Sequence, residues 1–305
     1  MRIVYLGTPD FAVEPLRELL LNGYNVVAVI TNNDKPVGRK QILTPPPVKV
    51  FAMQSDIPVY QYDKIRLEGV SDLKKLNPDL MITCAFGQIL SKEILDIPKK
   101  GVINIHASLL PKYRGASPIH YALLNGETRT GITIMKTEEG IDTGDILYQE
   151  SLDILDGETC GELFSRLSVL GAKAIIKALP SIIDGSVNSI KQDDDKATFS
   201  KIIKKEMAKI DWTASAEEVV NKIRAFNPAP VAFCSLDGNP FKIYKAEVVK
   251  ESGVAGTVLC ADKKLVIACG QGAVSLLSVQ KAGGKVMNIT DFIRGNKITV
   301  GKEFC

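Results

Sequence analysis

The feature that most constrains the fold is an alternation of short apolar runs with helix-like stretches at the start of the chain. The runs include "RIVYLG", "NVVAVIT", "PDLMITCAFG" and "GVINIH", and stretches such as "AVEPLRELLLNG" and "PVKVFAMQSD" lie between them. This β-α-β order is typical of a parallel sheet with helices on both faces. The runs lack a polar alternation, as strands buried on both faces do. We therefore predict an α/β domain built on a parallel sheet.

A long helix is predicted to follow this sheet, from about Thr159 to Leu179. Thr159 and Glu162 have the spacing of a capping box, in which each side chain bonds to the other's backbone N–H. One apolar stripe runs along the helix and consists of Leu163, Leu167, Leu170 and Ala174. Pro180 is expected to end the helix because proline lacks the N–H that the next turn needs.

The second part of the chain has a different pattern. The polar stretch "DGSVNSIKQDDDKATFSKIIKKE" indicates a linker. Beyond it, a short helix with Ser215 and Glu218 in capping-box spacing precedes strand-like runs separated by glycine and Asp-Gly signals: "FKIYKAEVV", "GTVLC", "KLVIACG" and "AVSLLSVQ". We expect a first domain over residues 1–188, a linker over 189–205 and a smaller all-β barrel or sandwich over 206–305.

Length and composition exclude several classes of protein. A chain of 305 residues suits two domains, and 45% hydrophobic with 24% charged residues is typical of a soluble globular protein. No apolar stretch reaches the roughly 18–20 residues that span a bilayer, and no secretory signal is recognised, so a cytoplasmic protein is expected. Six cysteines form no C-x-x-C pair and there are two histidines, which predicts reduced thiols and no metal site.

The charge is distributed unevenly along the chain. Residues 201–305 hold 16 Lys+Arg and 10 Asp+Glu, a net charge of +6, whereas residues 1–200 carry −3. A basic second domain permits a polyanionic partner. A solvated basic surface without a partner explains the same charge, and the two interpretations stay open on charge alone.

One stretch carries candidate chemistry: "INIHASLLPKYRG", which begins at Ile103. Side chains of a strand alternate between faces, so Asn104 and His106 point the same way at the end of an apolar run. Ligands of open α/β sheets bind outside the carboxyl ends of strands, which makes the pair a candidate site. The alternative is a pair of buried, hydrogen-bonded polar residues. "GTPDFA", residues 7–12, is not G-x-G-x-x-G, so a dinucleotide site is poorly supported.

The wider stretch "NIHASLLPKYRGASPIHYALLNGETRTGITIMKTEEGIDTGDIL" resembles the signature region of the folate-dependent formyltransferases. The resemblance continues through "GTPDFAVEPL", "DKPVGRK", "PPPVKVFA", "CAFGQIL" and "IDWTASAEEVVNKIRAFNPAP", so it covers most of the chain. It implies a Rossmann-like catalytic domain followed by an OB-like barrel domain that binds tRNA. Over the full length the chain is similar to members that use 10-formyltetrahydrofolate to formylate the amino group of initiator methionyl-tRNA in translation initiation.

The resemblance also implies a catalytic trio of Asn104, His106 and Asp142. The chemistry suits these residue types. An amide N–H stabilises the oxyanion that forms when an amine attacks a formyl carbon. An imidazole exchanges protons near neutral pH, and a carboxylate beside it orients the ring. His120 lies in a helix-like stretch and is expected to be structural.

Binding residues are implied in the same way. Those expected at the folate are Ser108, Leu109, Leu110 and Pro111, together with Phe86, Gly87 and Gln88. Those expected at the tRNA are Lys35, Arg39 and Lys40, on a loop of about a dozen residues, and Lys204, Lys205 and Lys209. Gln41 and Ile42 stand where related enzymes often carry further basic residues. No metal is implied, and one catalytic domain with one tail domain is expected to act as a monomer.

Three rival functions remain. A formyltransferase acting on glycinamide ribonucleotide or on a nucleotide-linked amino sugar would need no basic second domain. A hydrolase of formyltetrahydrofolate would share Asn104, His106 and Asp142 and use water as the acceptor. A tRNA-binding module with an idle first domain would not need those three residues.

Overall fold

The computed structural model describes residues 1–38 and 40–305 and divides into two compact units. The first consists of Met1–Pro118, Arg129–Leu152 and Phe164–Ser200, and the second of Ile119–Thr128, Asp153–Leu163 and Lys201–Cys305. The second unit thus takes two internal segments from the range 1–188, and most of the predicted linker is part of the first unit. Within the described residues, no helix combines the length and the apolar character that a bilayer crossing requires.

Elements up to residue 200 follow the predicted alternation. The strands are β1 (Ile3–Gly7), β2 (Val26–Thr31), β3 (Lys35–Val37), β4 (Ile42–Thr44), β5 (Val59–Gln61), β6 (Leu80–Cys84), β7 (Val102–His106), β8 (Arg114–Gly115), β9 (Arg129–Lys136), β10 (Ile146–Asp153) and β11 (Phe199–Ser200). The helices are α1 (Val13–Leu21), α2 (Pro47–Gln54), α3 (Ile65–Glu68), α4 (Val70–Leu76), α5 (Lys92–Leu95), α6 (Pro118–Leu124) and α7 (Cys160–Asp184).

Seven strands form the main sheet of the first unit, in the order β10-β9-β7-β6-β1-β2-β5. The pairs among β7, β6, β1, β2 and β5 are parallel, and β9 runs antiparallel to β7. The parallel α/β sheet predicted from the apolar runs is therefore confirmed. The chain reverses its direction of strand addition beside β1, and at such a switch point the carboxyl ends of the strands border a crevice.

The two faces of this sheet are covered differently. Val4, Leu6 and Val102 belong to a buried cluster that also contains Ile65 of α3 and Leu73 of α4. On the opposite face, α7 packs closely: a Cβ at Gly171 would lie 3.2 Å from Ile105. Since strand side chains alternate, Asn104 and His106 share the face of Val102, and their neighbours in β7 face α7.

The long helix differs from its prediction at its end. The capping box is present, because Glu162 accepts from the Thr159 N–H at 2.8 Å and donates its own N–H to Thr159 Oγ1 at 3.4 Å. The helix does not stop at Pro180 but continues to Asp184. Proline removes one hydrogen bond from the helix. Leu179 and Ile182, on either side of the proline, are nevertheless buried, and this burial favours the added turn.

A second difference concerns the basic loop after β2. The sequence predicted an irregular segment, whereas β3 and β4 pair antiparallel in a hairpin with Lys35 opposite Thr44 and Val37 opposite Ile42. Strand residues there are exposed, so pairing of backbone groups, rather than burial of side chains, maintains the hairpin. Apolar alternation could not reveal a strand pair that has no buried face.

The second unit is a mostly antiparallel β domain, as predicted. Its remaining elements are β12 (Ala232–Leu236), β13 (Asn239–Val249), β14 (Val258–Ala261), β15 (Leu265–Ala268), β16 (Ala273–Lys281), β17 (Met287–Asn288), α8 (Ala216–Ala225) and α9 (Ile289–Gly295). The strands are ordered β12-β13-β16-β15-β14, with β17 also paired to β16. The predicted capping box of Ser215 and Glu218 begins α8.

Residues 301–305 close this sheet on itself. On one side the Cys305 N–H donates to Ser235 O of β12 at 3.0 Å, and on the other the Phe304 N–H donates to Gly256 O, just before β14, at 2.8 Å. The short segment thus bridges the two edge strands and removes their open edges. The Phe304 side chain is buried in the interior, with ring centroids 5.4 Å from Phe241 and 6.4 Å from Trp212.

We predict that Phe304→Ala destabilises the second unit by about 3–5 kcal/mol, since a buried aromatic ring is lost and a cavity remains. Denaturant unfolding followed by the fluorescence of Trp212, the single tryptophan, measures this directly. Phe199→Ala is the matched control, because the Phe199 side chain is 63% exposed. Equal unfolding midpoints for the two variants would contradict a closing role for Phe304.

Candidate functional site

The site begins with the parallel pairing of β6 and β7, which places Thr83 beside Asn104 in the register of the sheet. The Thr83 hydroxyl donates to Asn104 Oδ1 at 2.9 Å. With its oxygen occupied, the Asn104 amide presents its Nδ2 hydrogens away from the strand pair. Thr83 lies near the end of an apolar run one strand away and was not among the residues predicted from the sequence.

His106 ends β7 and is buried, with 5% of its surface exposed. Its Nε2 lies 3.1 Å from the carbonyl oxygen of Tyr113. Because a carbonyl can only accept, Nε2 carries a hydrogen and Nδ1 is the nitrogen left to exchange a proton. Nδ1 lies 3.5 Å from Asp142 Oδ2.

Asp142 completes the cluster from the loop between β9 and β10. Its backbone is left-handed, with φ of 53°, and its Oδ2 accepts from the Gly115 N–H at 2.8 Å. Its Oδ1 lies 3.4 Å from Asn104 Nδ2. The structure therefore brings together the three side chains that the resemblance selected, although 36 residues separate His106 from Asp142.

Gly115 has a conformation that few other residues adopt. Its φ is 112°, and a Cβ at this position would overlap the carbonyl oxygen of Ser200. The tight approach arises because β8 pairs with β11, which lies in the segment predicted to be a linker. Polar composition suggested a solvated connection, but Gln192, Thr198 and Ser200 of this segment form hydrogen bonds to other parts of the first unit.

The residues expected to bind folate after β7 are fixed by Thr133 of β9. The Thr133 hydroxyl donates to Ser108 O at 2.7 Å and accepts from the Leu110 N–H at 3.1 Å. The Ser108 side chain is buried and donates to Lys112 O, and Leu110 is buried as well. Leu109 and Pro111 are only partly buried, so they are the members of this set with surface to offer a ligand.

The other expected folate residues follow β6, the neighbouring parallel strand, so both segments leave the same edge of the sheet. Phe86 is buried and its carbonyl oxygen accepts from Asn32 Nδ2 at 3.0 Å. The Gln88 amide donates to Asn32 Oδ1 at 2.7 Å and to Tyr62 O at 3.0 Å. The Gln88 side chain therefore anchors the loop, with Gly87 at its turn.

The basic hairpin is anchored at its base by an ion pair. Lys49 of α2 donates to both carboxylate oxygens of Asp34 at 2.8 and 2.9 Å, and to Gln61 Oε1 at 2.8 Å. These hydrogen bonds, with one from Gln61, lower the pKa of Asp34. Lys35 and Lys40 are exposed, and Arg39 lies outside the described residues.

The lysines predicted in the second half lie near the start of the second unit. Lys204 precedes a short 3-10 helix, Lys205–Ala208, and Lys209 follows it. All three side chains are exposed, whereas the adjacent Ala208 is buried. The buried alanine anchors the turn and leaves the three lysines on its outer side.

Cys84 and His120, two further titratable groups, are poor candidates for a catalytic role. Burial raises the pKa of the Cys84 thiol to about 12, so it is neutral and a poor nucleophile. His120 packs 6.3 Å from the ring of Phe226, and burial lowers its pKa. Over residues 1–38 and 40–305, we find no group of three or more His, Cys, Asp or Glu side chains that could hold a metal ion.

Comparisons with known sequences match both units. The family described as "Formyl transferase" matches residues 1–179, and "Formyl transferase, C-terminal domain" matches residues 202–297. A methionyl-tRNA formyltransferase of Bacillus subtilis (strain 168) is 46% identical over 305 residues, covering 98% of this chain and 96% of its own length. One from Geobacillus sp. (strain WCH70) is 47% identical over 310 residues, covering 99% and 98%.

Solved structures agree on the fold. WlaRD, a sugar 3N-formyl transferase solved with dTDP and 5-N-formyl-THF, superposes with a TM-score of 0.70 at 24% identity, over 93% of this chain and 99% of that chain. An N-formyltransferase from Helicobacter canadensis, solved with folinic acid and dTDP-3-aminofucose, gives 0.70 at 25% identity, over 92% and 98%. Sequence and fold thus lead to one conclusion: this chain belongs to the formyltransferase family and is a transferase.

Proposed function

We propose that this chain transfers the formyl group of 10-formyltetrahydrofolate to the α-amino group of initiator methionyl-tRNA, in the cytoplasm, for translation initiation. The observation that carries the proposal is 46–47% identity to methionyl-tRNA formyltransferases over 98–99% of the chain. Both units are matched, so the likeness includes the domain that would bind the RNA as well as the catalytic one.

In the proposed mechanism, Asn104 stabilises the oxyanion. The amine nitrogen attacks the formyl carbon, a C–N bond forms, and the formyl oxygen becomes negative in a tetrahedral intermediate. The Asn104 amide supports this role because Thr83 occupies its oxygen and leaves Nδ2 to donate. The intermediate then collapses, the bond to N10 of the folate breaks, and the oxygen becomes a carbonyl again.

His106 and Asp142 manage the protons in this scheme. The attacking nitrogen must lose one proton and the folate nitrogen must gain one, and Nδ1 of His106 is placed to relay it because Tyr113 O holds Nε2. Asp142, 3.5 Å from Nδ1, balances the charge that the ring gains when Nδ1 takes up the proton. No covalent intermediate and no metal are needed.

The folate is proposed to bind where the segments after β6 and β7 leave the sheet. Leu109 and Pro111 offer apolar surface to the flat ring of the folate. Backbone groups near Gly87 form hydrogen bonds with the edge of that ring. Ser108, Leu110, Phe86 and Gln88 support these segments from behind through the contacts described above. Their proposed role is to fix the binding backbone rather than to offer side chains.

The tRNA is proposed to meet two basic surfaces, the β3–β4 hairpin with Lys35 and Lys40, and the turn with Lys204, Lys205 and Lys209. Both expose ammonium groups beside rigid backbone. Phosphates attract such groups regardless of sequence. The enzyme is proposed to act as a monomer, with one catalytic unit and one β unit on the same chain.

A second acceptor class is favoured by the fold comparisons. The sugar N-formyltransferases noted above match more than nine-tenths of this chain at TM-scores of 0.70, so an amino sugar linked to a nucleotide is a rival acceptor. Their identity to this chain is about half that of the methionyl-tRNA enzymes. The tRNA acceptor is therefore the better supported.

We predict that labelled 10-formyltetrahydrofolate offered with methionyl-tRNA, glycinamide ribonucleotide, a dTDP-linked amino sugar or buffer gives formylated product only with methionyl-tRNA. Chromatography of the label after nuclease digestion identifies the acceptor. Label on the amino sugar would replace the proposed acceptor, and free formate in buffer would indicate a hydrolase.

Single-turnover transfer is predicted to slow about 10²–10³-fold in Asn104→Ala, because one oxyanion donor is lost. His106→Ala is expected to slow about 10²–10⁴-fold through loss of acid–base catalysis. Asn22→Ala, at an exposed asparagine, and His120→Asn, at the other histidine, are the matched controls and retain the wild-type rate. A folded variant at Asn104 or His106 that reacts as fast as its control removes that residue from the mechanism.

Affinity for methionyl-tRNA is predicted to fall steeply between about 50 and 200 mM salt, because bound lysines displace counterions from phosphates. The double variant Lys35→Ala/Lys40→Ala weakens binding and flattens this dependence. Lys75→Ala/Lys99→Ala is the matched control, since both lysines are exposed and precede parallel strands, at the opposite edge of the sheet. Fluorescence titration at several salt concentrations measures the affinity for methionyl-tRNA. An identical dependence of affinity on salt in the two double variants would refute the hairpin contact.

A further inference from the structure

The proposed catalytic carboxylate lies on a loop with little core of its own. Residues 138–141 and 143, on either side of Asp142, are exposed, and Asp142 has a left-handed backbone. Placing a reacting group about 1 Å off can cost a factor of 10² in rate. Residues outside the loop must therefore keep the Asp142 carboxylate close to the His106 ring.

Gln192 contacts the backbone of this loop on both sides of Thr143. Its Nε2 donates to Asp142 O at 2.8 Å and to Gly144 O at 2.7 Å, so both hydrogens of the amide are used. Its Oε1 accepts from Arg114 Nε at 3.0 Å and from Nη2 at 2.9 Å. The amide orientation is unambiguous, because carbonyls only accept and a guanidinium only donates.

Arg114 fixes Gln192 in turn. Gln192 and Arg114 are buried, and Arg114 Nη2 also donates to Asp194 Oδ1 at 2.7 Å. A buried amide with all of its hydrogen bonds made is held in one rotamer, because any other would leave buried polar groups unpaired. The position of Asp142 is thereby tied to a rigid group.

The segment that carries Gln192 has further attachments to the same site. Ile190 exchanges two backbone hydrogen bonds with Ile146, at the start of β10. The Thr198 hydroxyl accepts from the N–H of Tyr113, whose carbonyl holds His106. Ser200 pairs with Gly115, whose N–H holds the Asp142 carboxylate. Residues 190–200, the catalytic strap, thus contact the immediate supports of both His106 and Asp142.

We propose that Gln192 is a positioning residue for the transfer reaction, acting through Asp142, and that the catalytic strap is part of the active site rather than a connection between domains. The inference rests on the proposed role of Asp142. Gln192 touches no reacting atom; it fixes the backbone from which the carboxylate projects, and Arg114 with Asp194 fixes Gln192.

The test is a double-mutant cycle on single-turnover transfer from labelled 10-formyltetrahydrofolate to methionyl-tRNA, in the full-length enzyme. Gln192→Glu keeps the side-chain volume and the acceptor for Arg114, but it removes the donor to Asp142 O and Gly144 O. We expect it to slow transfer about 10- to 100-fold, with the dissociation constant of methionyl-tRNA unchanged. Gln54→Glu, at an exposed glutamine, is the matched control and keeps the wild-type rate.

In the Asp142→Ala background, the same Gln192→Glu change is expected to have no further effect, because residues that act as one unit are not additive. Equal slowing in both backgrounds, or a wild-type rate in Gln192→Glu, overturns the inference and leaves the proposed function intact. A wild-type rate in Asp142→Ala removes the proposed role of the carboxylate itself. Circular dichroism checks folding, and Gln192→Leu replaces the first variant if that variant does not fold.

Discussion

The hydrogen bond from the Gly115 N–H to the Asp142 carboxylate, 2.8 Å long, is the contact on which the geometry of the site depends. It joins a loop after β9 to a strand that follows β7, and so converts two distant parts of the sequence into one cluster. A carboxylate that accepts from a fixed backbone N–H has its orientation set by the fold. Asn104 and His106 then need only the regular alternation of β7 to meet it.

The sequence alone could predict what regular secondary structure determines. Period-two alternation put Asn104 and His106 on one face, and the apolar runs gave a parallel sheet, because both follow from local geometry. The capping boxes at Thr159 and Ser215 were predictable for the same reason. The resemblance to formyltransferases supplied Asp142, whose approach to His106 no local pattern contains.

Other parts could not be predicted because their cause lies in tertiary contacts. Pro180 sits inside α7, where burial of neighbouring apolar residues overrides a local preference to stop. The exposed hairpin has no apolar face to give a periodic signal. Residues 190–200 have the composition of a linker, yet Gln192, Thr198 and Ser200 form hydrogen bonds to other parts of the first unit. Polar composition alone does not distinguish a side chain that binds water from one that binds another part of the protein.

The closure of the second unit by residues 301–305 has a consequence for biosynthesis. Domains generally fold as units while the ribosome extends the chain, and the first unit has all of its residues once Ser200 has emerged. The β unit lacks the segment that joins β12 to the start of β14 until residues 301–305 follow. While roughly the next hundred residues are translated, all strands of the first unit are present. The edge strands of the second unit are not yet bridged. The edges of β12 and β14 therefore stay open to chaperones until residues 301–305 have emerged.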